Sequence, residues 1–148
     1  MKYGVSACLL GIPCKYNGKD NYNEELVTYL KEHEYVCVCP EVSGGLSTPR
    51  IPSEILADGR VVNKQGEDVS LNYHDGACFE VAKLKREGVK IAITQPRSPS
   101  CGVGKIYDGT FTKTLVDGDG IFVQMCKKEG ISAYNCDEFL EKMKLIKK

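Results

Sequence analysis

At 148 residues the chain has the size of one domain with its own core. Its 20 basic and 20 acidic residues cancel to a formal net charge of zero, which leaves no basic excess for a nucleic-acid polymer. No apolar stretch approaches the ~18 residues of a membrane helix, and Met1-Lys2-Tyr3-Gly4 runs into an apolar segment too short for a signal peptide, so the expectation is one cytoplasmic domain over 1–148 without a membrane partner.

Residues 3–7 predict a first strand, followed by a loop and turn, Cys8-Leu9-Leu10-Gly11-Ile12-Pro13-Cys14. Asn23 is a good N-cap for a helix that carries Leu26, Val27 and Leu30 and ends near His33. Residues 35–39 form a continuous apolar run, the type expected for a strand buried on both faces. Pro40 to Pro52 holds Gly44-Gly45 and three prolines and reads as irregular. Glu54–Leu56 and Arg60–Asn63 flank Asp58-Gly59, a hairpin signal. A long helix is expected over 71–87, with Ala77, Cys78, Val81 and Ala82 inward and Gly88 past its end.

Residues 89–94 predict a third strand, and 95–105 a loop. Ile106-Tyr107 and Phe111–Lys113 flank Asp108-Gly109, a second hairpin signal. A helix over 117–129 places Ile121, Phe122, Met125 and Cys126 on one face. A short strand at 131–133 and a helix at 137–146, with Phe139, Leu140, Met143 and Ile146 inward, complete the pattern. Strands alternating with helices imply βαβ units. The expected fold is α/β: a three-layer Rossmann-like domain with a short, mostly parallel sheet and two β-hairpin insertions.

The eight cysteines are the compositional anomaly. In a chain of this size without an export signal, clustered thiols suggest metal ligands or nucleophiles rather than disulfides. Three apolar runs end on a cysteine and a loop, at Cys8, Cys39 and Cys101. In an open parallel sheet, ligands bind outside the carboxyl ends of the strands, where all three thiols would meet. Zinc sites usually use closely spaced ligand pairs, and only Cys37/Cys39 come near that spacing. Three thiolates without an obvious fourth ligand suit a 4Fe-4S cluster with one open iron, which can act as a Lewis acid. A non-catalytic iron–sulfur or zinc-binding protein uses the same residues, as does a thiol-based sulfurtransferase with Cys101 as persulfide carrier.

Four blocks of the chain resemble a known family. They are Ser6-Ala7-Cys8-Leu9-Leu10-Gly11 with Cys14-Lys15-Tyr16-Asn17-Gly18; Cys39-Pro40-Glu41 with Gly44-Gly45-Leu46, Pro49-Arg50-Ile51-Pro52 and Glu54; Ser98-Pro99-Ser100-Cys101-Gly102; and Tyr107-Asp108-Gly109-Thr110-Phe111. The combination is similar to the short thiouracil desulfidases, with a departure at Gln95-Pro96, where a Lys-Ala-type pair is expected. The resemblance implies non-redox, hydrolytic removal of sulfur from thiolated uracil compounds, such as thiouracil and 4-thiouridine monophosphate, with release of sulfide. It implies a 4Fe-4S cluster on Cys8, Cys39 and Cys101, with the fourth iron open to the sulfur of a small thiolated pyrimidine. It gives Glu41 the proton-transfer role and Ser98 a helping one.

Chemistry agrees with those residue types, because a carboxylate beside a metal can deprotonate water and a hydroxyl can orient it. Gly44, Gly45 and Arg50 suggest a cradle for a nucleotide phosphate, with a plain flexible loop as the other reading; Arg97 has the same two readings. Cys14 is open to three readings: fourth ligand, sulfur relay or packed small side chain. Cys37, Cys78 and Cys126 are expected on buried faces, where cysteine acts as a small hydrophobe, and Cys136 is expected to be structural. His33 and His74 read as helix-end and surface residues.

Overall fold

The computed structural model describes residues 2–147. β1 (Lys2–Ser6) runs into a 3-10 turn (Ala7–Leu10), followed by α1 (Glu24–Leu30), β2 (Glu34–Val38) and α2 (Pro40–Ser43). A first hairpin, β3 (Ser53–Ile55) and β4 (Val61–Asn63), leads to α3 (Ser70–Arg86) and β5 (Ile91–Thr94). A second hairpin, β6 (Lys105–Tyr107) and β7 (Leu115–Asp117), precedes α4 (Ile121–Lys128), β8 (Ser132–Asn135) and α5 (Cys136–Lys147). The main sheet has four parallel strands in the order β2-β1-β5-β8, and each hairpin is its own two-stranded antiparallel sheet. This is the expected Rossmann-like core with two insertions.

Period-two alternation splits the sheet between two cores. Ala92 and Ala133 face α3 and α4, where Tyr73, Ala77, Val81, Leu84, Phe122 and Cys126 pack. Tyr3, Val5 and Ile93 face α1 and α5, where Leu26, Leu30, Phe139 and Leu140 pack. The Asn23 side chain caps α1 by accepting the Leu26 N–H at 3.0 Å. Ile146 lies outside the residues whose side chains are described.

Five expectations need correction. β2 is not buried on both faces. It is the edge strand, and no β2 residue joins the α1/α5 core, so Tyr35 and Cys37 are exposed while Val38 is buried. On α3 the inward line runs Tyr73, Ala77, Val81, Leu84, and Cys78 and Ala82 are exposed. Glu80 takes an inward place that charge alone assigns to the surface. The segment after Cys39 contains one helical turn, α2, begun by Pro40 at its first position.

The second hairpin returns at Leu115–Asp117, not at 111–113. The intervening loop is drawn aside by Glu54, whose Oε1 accepts the Gly109 N–H at 2.9 Å and the Phe111 N–H at 3.1 Å. Phe111 and Lys113 then adopt φ of 59° and 60°, which a regular strand does not allow. The fifth correction is α4, which starts at Ile121 because β7 holds the chain through Asp117.

Candidate active site

The strand order reverses at β1, with β2 on one side and β5 on the other, so the loops after β1 and β5 open a crevice. Cys8 lies in the 3-10 turn after β1, Cys39 follows β2 as the N-cap of α2, and Cys101 lies in the loop after β5. All three line one cavity of about 390 Å³, together with Cys14, Glu41, Arg50, Ser98 and Ser100. Cys8, Cys14 and Cys39 are half-buried and Cys101 is buried; every cysteine among the described residues is a free thiol.

A serine hydroxyl and an asparagine amide donate to two of the sulfurs. The Ser6 hydroxyl donates to Cys101 Sγ at 3.3 Å and accepts the Gln95 N–H at 3.1 Å. Asn21 Nδ2 donates to Cys8 Sγ at 3.6 Å. Burial pushes the Cys8 and Cys101 thiols up, because a thiolate loses its hydration there. Cys39 moves the other way, to about 7, chiefly through a hydrogen bond from the Cys14 thiol. The Cys14 thiol, as donor to Cys39 and by burial, is pushed up. Cys39 Sγ is also 4.0 Å from the Cys14 carbonyl, the far limit of a sulfur hydrogen bond. That oxygen also accepts from Arg50 Nη2 at 2.9 Å, one bond for each of its two lone pairs.

Glu41, on the single turn of α2, has both carboxylate oxygens held. Oε1 accepts from Arg50 Nε at 3.0 Å and Oε2 from the Ser100 hydroxyl at 2.8 Å. Ser100, not Ser98, touches the carboxylate. The Ser98 hydroxyl oxygen accepts the N–H groups of Ser100 at 3.0 Å and Cys101 at 2.8 Å. It lies 2.9 Å from Ser100 Oγ, and with the Ser100 proton given to Glu41 it is the donor in that pair. The hydroxyls therefore form a directed chain, Ser98 to Ser100 to Glu41. Burial, reinforced by the Glu41 charge, pushes the Tyr73 phenol of the same cavity up.

Arg50 is committed to the protein. Besides Glu41 and Cys14, its Nη1 donates to the Ser47 carbonyl at 3.3 Å and to Thr48 Oγ1 at 3.0 Å. Gly44 and Gly45 stand apart from the cavity lining. They lie against α3, where a Cβ on Gly44 would come 2.0 Å from the Asn72 carbonyl oxygen, and one on Gly76 1.8 Å from that of Pro40. These glycines let α2 sit directly on α3, which sets Cys39 and Glu41 at the cavity. Lys15, Lys64, Arg97 and Lys113 also line the cavity, and of these Arg97 and Lys113 have positive φ.

Sequence reasoning passed over Ser6, Asn21, Ser100 and Tyr73. Ser6 and Ser100 stand inside the quoted motif blocks, two residues before Cys8 and one before Cys101. Asn21 and Tyr73 carry no local signal. Among the described residues no three His, Cys, Asp or Glu side chains are grouped closely enough to hold a single metal ion.

Three comparisons bear on this site. The family model described as 2-thiouracil desulfurase matches residues 3–138. A Bacillus subtilis (strain 168) protein, described as uncharacterized protein YbbK, is 38% identical over 135 residues, spanning 85% of this chain and 89% of that protein. A solved structure described as the 4Fe-4S-dependent thiouracil desulfidase TudS superposes with a TM-score of 0.89 at 34% identity, covering 99% of this chain and 97% of that one. With its motif blocks and its cavity lining all inside residues 3–138, the chain belongs to the 2-thiouracil desulfurase family.

Proposed function

We propose that this protein is a desulfidase that removes sulfur from thiolated uracil compounds by hydrolytic C–S cleavage without redox change, using a 4Fe-4S cluster bound through Cys8, Cys39 and Cys101. The carrying observation is the convergence of three thiols from three strand ends on the cavity that also holds a doubly anchored carboxylate. The likeness to a structure named for that cofactor and substrate supports the same reading.

The donor set fits such a cluster. Cys8, Cys39 and Cys101 would each hold a different iron of such a cluster, so they need not crowd around one point as the ligands of a single zinc ion do. The hydroxyl on Cys101 and the amide on Cys8 stabilise charged sulfur, as outer partners of metal ligands do. When bound, the cluster supplies an iron without a protein ligand, a Lewis acid for a thiocarbonyl sulfur.

The chain's own residues do the rest. Glu41 is held with both oxygens as acceptors, which suits taking a proton from water that attacks the ring carbon. Ser100 and Arg50 fix that carboxylate in place, and Ser98 orients Ser100. Lys15, Lys64, Arg97 and Lys113 line the cavity, while the carboxylates of the described lining, Glu41 and Glu54, are already engaged. That balance favours an anionic substrate such as 4-thiouridine monophosphate over the free base. Eight free cysteines suit a reducing compartment, the cytoplasm.

The test is an anaerobic preparation with iron and sulfide counted per chain, then sulfide release from 4-thiouridine monophosphate and from 2-thiouracil. About four irons per chain and turnover that favours the nucleotide are expected. A full cluster in each of Cys8→Ala, Cys39→Ala and Cys101→Ala, or no sulfide release from either compound, refutes the proposal.

A further inference from the structure

Glu80 on α3 is 1% exposed and belongs to none of the motif blocks. A carboxylate is costly to bury unless it is paired and hydrogen-bonded, so its partners indicate its use. Oε2 accepts the backbone N–H of Cys39 at 2.7 Å, the short distance of a charge-assisted bond. Oε1 stands 3.0 Å from Lys83 Nζ, within ion-pair range but outside hydrogen-bond alignment, and no other group bonds it among the described residues. Lys83 Nζ donates to the Cys37 carbonyl at 2.9 Å.

These contacts replace a missing strand. β2 is the sheet edge, and an edge presents unpaired N–H and C=O groups. Backbone groups two residues apart along a strand point to the same side. Lys83 takes the Cys37 carbonyl on that side and Glu80 takes the Cys39 N–H. Cys39 itself has φ −141° and ψ 87°, and its side chain makes no capping bond to α2, so its own thiol does not fix its backbone. The thiol is left to face the cavity.

We propose that Glu80 is a positioning residue that sets the Cys39 thiol for the cluster by clamping the Cys39 amide, with Lys83 gripping Cys37 beside it, a role that rests on the reading of Cys39 as a cluster ligand. Leucine at position 80 leaves the Cys39 N–H without its partner and lets the end of β2 move. Glutamine keeps an oxygen acceptor for that N–H and loses only the attraction to Lys83.

The experiment follows iron release to a ferrous chelator from anaerobic holoprotein, by visible absorbance, with the thermal midpoint measured on each sample. Glu80→Leu is expected to release iron at least about tenfold faster than the parent, and Glu80→Gln to stay within about threefold of it. Leu84→Ala is the control: it opens the core on the same helix, against Gly4 of β1, and should release iron at the parent rate although its midpoint falls. Equal release from Glu80→Leu and Leu84→Ala at matched midpoints overturns the proposal, as does Glu80→Gln behaving like Glu80→Leu.

If Glu80→Leu does not accumulate folded, Lys83→Met carries the test from a partly exposed position. Faster release then supports the clamp and an unchanged rate overturns it. Cys39→Ala separates the two readings. A full cluster in that variant removes the ligand assignment and the clamp with it, whereas a depleted one alongside an unremarkable Glu80→Leu removes the clamp alone.

Discussion

Removing the Arg50 guanidinium decides whether this arginine holds Glu41 or meets substrate. The Arg50 and Glu41 side chains are 7% and 14% exposed and 3.0 Å apart. Arg50→Ala leaves a largely buried carboxylate with the Ser100 hydroxyl as its remaining anchor, which costs about 3–5 kcal/mol. It also frees the Cys14 carbonyl and the Ser47–Thr48 segment. Arg50→Lys restores the charge, but one compact ammonium cannot reach the positions now served by Nε, Nη1 and Nη2, so about 1–2 kcal/mol should return. Urea unfolding of parent and variants gives the loss directly, with an unchanged m-value showing that the unfolded state is the same. A loss under about 1 kcal/mol, the scale of a surface pair, refutes the clamp. Near-parent stability with a KM for 4-thiouridine monophosphate raised about tenfold, at unchanged kcat, would return Arg50 to the substrate.

Ser100→Ala removes the hydroxyl on Glu41 and should lower kcat by about 10–100-fold with little change in KM, the value of one charge-assisted bond. Ser98→Ala should cost more in stability, about 1–3 kcal/mol, because two N–H groups lose their acceptor, and less in kcat; the opposite ranking in steady-state kinetics and unfolding refutes the directed hydroxyl chain. In the metal-free chain, Cys39 should alkylate with a midpoint near pH 7, and Cys14→Ala should move that midpoint up toward the ordinary thiol value of 9.0. The sign for stability follows from the lowered value. The contribution of Cys39 is complete above about 9 and is lost as pH falls through about 7, while the raised Cys14 costs stability only above its ordinary value. A midpoint unmoved by Cys14→Ala, read by mass spectrometry, counts against the thiol–thiol bond. Gly76→Ala forces a methyl against the Pro40 carbonyl oxygen and should cost at least about 1–3 kcal/mol by thermal unfolding and lower the iron bound per chain; a neutral result means that α2 does not need its close seat on α3.

Local chemistry carries far in this chain. Asn23 caps α1, Gly88 ends the turn after α3 with φ 72°, and Asp58-Gly59 turns the first hairpin, because each signal acts within a few residues. The alternation of strand and helix and the loop after each strand were enough to bring Cys8, Cys39 and Cys101 to one end of a parallel sheet. What failed locally was decided from afar. The second hairpin carries an Asp-Gly turn signal, yet Glu54, more than fifty residues earlier, draws its loop aside. β2 has the hydropathy of a central strand, yet it is the last strand of the sheet, and among the described residues none of its side chains joins the α1/α5 core.

By itself, then, the sequence determined the alternating α/β pattern, the three cysteines at strand ends and the motif blocks around them, since periodicity, caps and turns are properties of neighbouring residues. The tertiary structure alone decided which groups meet: that Ser100 rather than Ser98 touches Glu41, that Arg50 is spent on protein contacts, that Gly44 and Gly45 seat a helix instead of lining the cavity, and that a buried Glu80 grips the Cys39 amide. Hydrogen bonds depend on distance and direction between elements far apart in the chain, and those are set only once α2, α3 and the loop after β5 have packed together.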